Sequence, residues 1–299
     1  MAGIVAKMIM HSMMKNKPKN LHYVPRDYSA EREKAKKLSA MQPLPKDIQC
    51  TKEAPGCWFE KEGADRGKAV MLIHGGGFNT GSAEYAYNSV RHLCVSKDFS
   101  VFAVEYRLAP EYPYPKGLED CVTAYRYLLT LGLRGKDIVF VGDSAGGNLV
   151  FATALYLRDH GIELPAGLCG ISPVGEVDGS MPSRKDRVDR DPIIGADFTE
   201  EMAITYVKDH DPKDPYLSPI YGDFTGLPPV WICVGTEEVF YDDAFALRSA
   251  MQRANVPVEL MVGEGLCHVY PMFPDPQSTK ANKSMRAFIH ACLDLASPI

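Results

Sequence analysis

A serine held between glycines is the first place in this chain where chemistry can start. Gly142-Asp143-Ser144-Ala145-Gly146 follows the apolar run Asp137-Ile138-Val139-Phe140-Val141 and leads into a helix-like stretch. At a strand-to-helix junction this pattern predicts a tight turn, with glycine on both sides because neighbouring backbone comes too close for a side chain. The turn lifts the hydroxyl off the sheet, and the next helix points its N-terminal amides at the same spot. That arrangement serves a nucleophile. The plainer alternative is an ordinary turn whose serine caps the helix. Upstream, Val70-Met71-Leu72-Ile73 ends in His74-Gly75-Gly76-Gly77-Phe78. Consecutive glycines after a buried strand leave backbone N–H groups unshielded. An oxyanion hole needs such donors, which approach a developing negative charge to about 2.7–3.1 Å. A phosphate-binding loop is the competing reading; the lysine and hydroxyl of G-x-x-x-x-G-K-[ST] are absent there, as is any nearby G-x-G-x-x-G.

A serine hydroxyl is a weak nucleophile at neutral pH and needs a base. Of the eight histidines, His268 has the best address, after the run Glu259 to Val262 and the short loop Gly263 to Cys267. Loops after the C-terminal ends of parallel strands gather at one edge of a sheet, where sites form. His11, His22, His92, His160, His210 and His290 fall in terminal, helical or polar contexts. The base in turn needs an acid to fix its tautomer and stabilise its charged form, expected after Val230 to Val234. Glu237, Glu238, Asp242 and Asp243 all follow that run, and position does not choose among them. The last two also suit the start of a helix. The chain order serine, acid, histidine is that of α/β-hydrolases.

The elements that must position these residues are legible as apolar runs of strand length separated by helix-length segments. Strands are predicted near 46–52, 56–61, 69–73, 99–105, 137–141, 167–172, 229–234 and 257–262, and helices near 84–96, 117–132, 145–160, 242–254 and 277–295. Alternation after residue 69 implies a mostly parallel sheet covered on both faces. The first two strands, joined through Pro55-Gly56, are predicted to form an antiparallel edge hairpin. Two segments break the pattern: residues 1–45, and the long connection 173–228, which carries a helix near 199–207. The expected domain organisation is therefore residues 46–299 as the catalytic domain, with 1–45 and 180–215 packing together as a cap.

Composition narrows the class. The chain has 299 residues, 45% hydrophobic and 24% charged, as in soluble globular proteins. A net charge of −5 with no basic stripe argues against a nucleic-acid partner. Eight cysteines are scattered through core-like runs without a C-x-x-C pair, which reads as free thiols in a reducing cytoplasm and argues against a zinc or redox site. No uncharged run approaches the roughly 18 residues of a membrane span, and no secretory signal is evident at Met1 to Met14.

Taken together, several motifs resemble the hormone-sensitive-lipase family of α/β-hydrolase esterases. They are His74 to Phe78, Gly142 to Asn148, Tyr106 to Glu111, Leu217-Ser218-Pro219 with Gly226 to Pro229, and Gly265 to His268. The resemblance implies an eight-stranded α/β-hydrolase fold with a helical cap, and a serine carboxylesterase acting on short acyl esters without metal or organic cofactor. It implies Ser144 as nucleophile, His268 as base and Glu238 as acid, with Glu237 the runner-up, since the family's usual aspartate and following proline are missing. It assigns the oxyanion hole to the amides of Gly75, Gly76, Gly77 and Ala145. It also implies that two copies can pair near the last strand and the 277–295 helix, although a monomer fits the sequence equally. Two other functions use the same frame: an amidase or a deacetylase of acetylated sugars, and a ligand-binding receptor, which in this family's relatives lacks the histidine present here as His268.

Overall fold

The computed structural model describes residues 3–17, 21–40, 44–86, 91, 93 and 97–295. Eight strands are present: β1 Ile48–Glu53, β2 Gly56–Lys61, β3 Ala69–Ile73, β4 Ser100–Val104, β5 Ile138–Asp143, β6 Gly167–Ile171, β7 Val230–Gly235 and β8 Val258–Gly263. They form one sheet in the order β1-β2-β4-β3-β5-β6-β7-β8. Strand β2 runs antiparallel to both β1 and β4, and every other pairing is parallel. The predicted edge hairpin is therefore present.

All five residues of β3 are buried, as are all six of β5 and β7. These strands are apolar without alternation because both faces of the sheet are covered. Alternate side chains still part to opposite sides. Met71, Phe102, Phe140 and Ile232 enter one core, while Leu72, Val101, Val141 and Trp231 enter the other. Burying a side chain of this size contributes about 1.5–3 kcal/mol.

The helices are α1 Ile4–Asn16, α2 Tyr28–Ala40, α3 Lys116–Thr130, α4 Ala145–Asp159, α5 Ser183–Asp186, α6 Phe198–Met202, α7 Tyr241–Arg253 and α8 Pro276–Cys292. Tyr125 of α3, Phe151 of α4 and Leu247 of α7 pack on the first core. Ala6 of α1 and Met285 and Ile289 of α8 pack on the second. The helix predicted at 199–207 is shorter: α6 passes at Ala203 into a π-helical turn through Val207. Of the helix predicted at 84–96, the described part is a 3₁₀ turn, Ala83–Tyr85; the remainder, with His92 and Cys94, lies mostly outside the described residues. The seven described cysteines are all free. Among the described residues no helix is long and apolar enough to cross a membrane.

Candidate active site

The loops that follow β3, β5, β6, β7 and β8 carry the residues of interest. Because β4 lies on one side of β3 and β5 on the other, the chain reverses its direction of travel across the sheet between β4 and β5, and the loops after β3 and β5 flank that switch point.

Ser144 is the hinge from β5 into α4. Its backbone has φ 54° and ψ −121°, a strained conformation for a side-chain-bearing residue. The ladder extends into the turn, with Ser144 N donating to Ile171 O at 2.8 Å. The flanking glycines are sterically required. A Cβ on Gly142 would lie 2.4 Å from Gly146 O, and one on Gly146 would lie 2.0 Å from Ile73 O. The Ser144 side chain makes no capping hydrogen bond, so the hydroxyl is not spent on closing the helix, which removes the plainer capping alternative. The first amides of α4, beginning at Ala145, have no intrahelical acceptor.

The glycine loop after β3 is held from behind. His74 is buried; its Nδ1–H donates to Gly75 O at 2.8 Å, and its ring stacks on Tyr106 with centroids 4.2 Å apart. Tyr106 OH donates to His74 O at 2.9 Å, which gives the Tyr106 to Glu111 motif its structural purpose. Burial drives the His74 pKa down to about 4, so it stays neutral. Gly76 and Gly77 adopt φ 115° and 60° and line a cavity of about 300 Å³. Gly75 does not line it. A Cβ there would meet Asp143 Oδ2 at 2.2 Å, and the Gly75 amide faces the Asp143 carboxylate. Of the expected oxyanion glycines, the cavity thus receives Gly76 and Gly77. Asp143 lines the cavity too, and burial pushes its pKa up to about 6.

Ser144 and His268 line the same cavity. His268 Nδ1–H donates to Glu238 Oε2 at 2.6 Å, with both side chains buried. An ionised carboxylate accepts only, so this partner fixes the proton on Nδ1 and leaves Nε2 a lone pair. Glu238 Oε1 accepts from Ser172 Oγ at 2.9 Å and from the Gly235 amide. Burial raises the Glu238 pKa, opposed by the His268 contact. For His268 burial disfavours the charged ring, yet the hydrogen bond and charge of Glu238, with Asp191 and Asp143 behind it, outweigh burial and raise its pKa above 6.5.

The other acids after β7 point elsewhere. Glu237 takes a hydrogen bond from Thr236 Oγ1 and faces Arg190 at 3.6 Å. Asp242 accepts from Ser183 N at 2.8 Å. Asp243 accepts from Gly175 N and pairs with Arg184 at 2.7 Å.

Three supports were not expected from the sequence. Ser172, at φ 47°, donates to Glu238 and accepts from Val269 N at 2.9 Å, joining the β6, β7 and β8 loops. Asp191 is fully buried; it accepts from Ile193 N at 2.9 Å and from Val239 N at 3.1 Å, tying the cavity wall to the Glu238 loop. Asn148 Nδ2 donates to Val174 O and Leu217 O, each at 2.9 Å, which connects two of the sequence motifs. Ser172 directly follows β6, where the rule for parallel strands could have flagged it. Asp191 carries no spacing signal.

Over the cavity, the N-terminal segment meets the connection between β6 and β7. Lys17 Nζ donates to Val188 O and Asp191 O at 2.5 and 2.6 Å. Arg26 pairs with Asp197 at 2.5 Å, and Tyr28 OH donates to Glu201 Oε1 at 2.7 Å. Arg26, Tyr28, Ile193, Phe198 and Glu201 all line the cavity.

Comparison with known proteins identifies the family to which this fold belongs. A family model described as the α/β-hydrolase fold matches residues 70–272. An acetyl-hydrolase of Streptomyces hygroscopicus is 35% identical over 242 residues, covering 80% of this chain and 79% of that one. An esterase of Acinetobacter venetianus is 31% identical, covering 71% of each chain. The crystal structure of EstE5 superposes with a TM-score of 0.88 at 29% identity, covering 98% of this chain and 100% of that one. A hormone-sensitive lipase from a metagenome library does so at 0.88 and 30%, covering 96% and 98%. On these matches this chain belongs to the hormone-sensitive-lipase family of α/β-hydrolase esterases, as a carboxylic ester hydrolase.

Proposed function

We propose that the protein hydrolyses short-chain acyl esters through a covalent acyl-enzyme, with Ser144 as nucleophile, His268 as general base and Glu238 as its acid. Ser144 Oγ attacks the ester carbonyl while His268 Nε2 takes its proton. The oxyanion is held by the amides of Gly76, Gly77 and Ala145. His268 then protonates the departing alcohol, and water, activated by the same imidazole, releases the acid. The observation that carries this reading is the 2.6 Å Glu238–His268 hydrogen bond opening into the cavity that Ser144 also lines.

A cavity of about 300 Å³ favours short acyl groups, as does similarity to proteins named acetyl-hydrolases. The ion pairs and hydrogen bonds between 17–28 and 188–201 support reading residues 1–45 and 180–215 as a cap. Free cysteines fit a reducing cytoplasm. The outer side of β8, which among the described residues pairs only with β7, offers an edge on which two copies can pair.

Ser144→Ala is the direct test. Hydrolysis of p-nitrophenyl acetate is expected to fall by about 10³-fold or more, with an unchanged circular-dichroism spectrum. Turnover near the wild-type rate would remove Ser144 from the mechanism.

A further inference from the structure

The cavity wall away from Ser144 carries several charged and amide side chains. Among the described residues Arg26 is the single lysine or arginine lining it, against the carboxylates of Glu31, Asp197 and Glu201. Arg26 is committed to Asp197 at 2.5 Å and lies 3.5 Å from Glu201 Oε2. Asn79 adds an independent observation. Its Nδ2 donates to Glu201 Oε1 at 3.2 Å, which orients the amide. Its Oδ1 is buried and has no hydrogen-bond donor among the described residues, on a side chain that lines the cavity in a residue only 4% exposed. A buried acceptor left without a donor is costly, and a bound N–H group removes that cost. The rings of Tyr28 and Phe198 line the same space, and aromatic faces attract cations.

The wall lies close to the reacting centre. A Cβ placed on Gly77 would be 3.6 Å from Phe198 and 4.0 Å from Asn79 Nδ2. An ester whose carbonyl sits at the glycine loop therefore reaches this wall with a short spacer. An alkyl tail would gain nothing from a net-negative wall and would leave Asn79 Oδ1 unpaired. A neutral polyol would satisfy Asn79 but would gain little from the excess carboxylate charge.

We propose that the esters this site prefers carry a protonated tertiary or simpler amine, its N–H directed to Asn79 Oδ1 and its charge to Glu201, between the Tyr28 and Phe198 rings. This inference rests on the esterase reading of the same cavity and adds the substrate class to it.

The experiment compares kcat/KM at neutral pH for two isosteric pairs. One carries the amine in the alcohol: 2-(dimethylammonio)ethyl acetate against 3-methylbutyl acetate. The other carries it in the acyl group: methyl 3-(dimethylammonio)propanoate against methyl 4-methylpentanoate. In at least one pair the cation-to-neutral ratio is expected to fall about tenfold in Glu201→Gln. Taking the ratio within one preparation cancels the active fraction and, between proteins, the intrinsic reactivity of the esters. Equal ratios in wild type and variant for both pairs would overturn the proposal, as would preference of the wild type for a neutral sugar acetate over both cationic esters.

Where the variant does not fold, wild-type protein decides. Against p-nitrophenyl acetate, 2-(dimethylammonio)ethanol is expected to compete at least about fivefold more tightly than 3-methylbutanol, and equal or weaker competition refutes the amine site. Failure of the esterase reading itself looks different: wild-type protein inert toward the neutral esters and p-nitrophenyl acetate alike, which sinks both.

Discussion

At the scale of single residues, the environment of His268 has a measurable consequence. As the proposed general base, the imidazole must be neutral to take a proton, so activity is expected to rise as pH passes through its pKa. Glu238 and Asp191 raise that pKa above 6.5, so the acid limb of kcat/KM is expected at a pH above the free imidazole value. Asp191→Asn removes one of the charges favouring the protonated ring, so the limb should shift toward lower pH. A limb that stays put in Asp191→Asn would show that this buried carboxylate only ties loops together. Glu238 and Glu237 separate by geometry, since one touches the imidazole and the other faces Arg190. Glu238→Ala is expected to lower kcat by about 10²- to 10⁴-fold, with Glu237→Ala within about threefold of wild type. The reverse ranking would move the acid.

At the scale of elements, the turn from β5 into α4 depends on close backbone packing. Gly146→Ala would force a methyl to 2.0 Å from Ile73 O and 2.6 Å from His74 O, neither of which can yield without moving β3. We expect a loss of about 3 kcal/mol in chemical denaturation together with reduced kcat, because the same shift moves Ser144 and the glycine loop. Gly161 is the control. It has φ 64°, but a methyl added there would meet nothing within 4 Å, so Gly161→Ala should cost only about 1 kcal/mol. Of the two, only Gly161 has a positive φ, so a loss in Gly146→Ala no larger than that in Gly161→Ala would mean that crowding does not govern the turn. The same packing explains why the motifs recur as sets: Asn148 on α4 holds the carbonyl of Leu217, and Tyr106 after β4 holds that of His74.

At the scale of the whole molecule, the N-terminal segment and the β6–β7 connection, the proposed cap, both contribute to the cavity lining. Removing residues 1–26 deletes the Lys17 and Arg26 contacts while leaving the strands intact. The expected outcome is a KM for p-nitrophenyl acetate raised by about tenfold, roughly what loss of one or two charged contacts costs, and a weaker preference for acetate over decanoate. Labelling of Ser144 by a fluorophosphonate should persist, which separates an opened cavity from a collapsed fold. An unchanged chain-length preference would detach the N-terminal segment from substrate selection.

The sequence alone determined the strands, their mostly parallel arrangement and the addresses of Ser144, His268 and the glycine loop. Those features are local: apolar runs mark buried strands, glycines mark forced close approaches, and loops after parallel strands must gather at one edge. It did not determine which of four acids after β7 reaches His268, because residues one apart in a loop differ in direction rather than in type. Tertiary structure decided that, turning Glu238 inward and Glu237 toward Arg190. It also decided that Gly75 faces Asp143 rather than the cavity. Above all it created the polar wall of Arg26, Asn79, Asp197 and Glu201, whose members come from three separate stretches of chain. Charged and amide side chains carry no periodic signal on their own. Their chemistry depends on which neighbours share their burial, and only the folded chain supplies those neighbours.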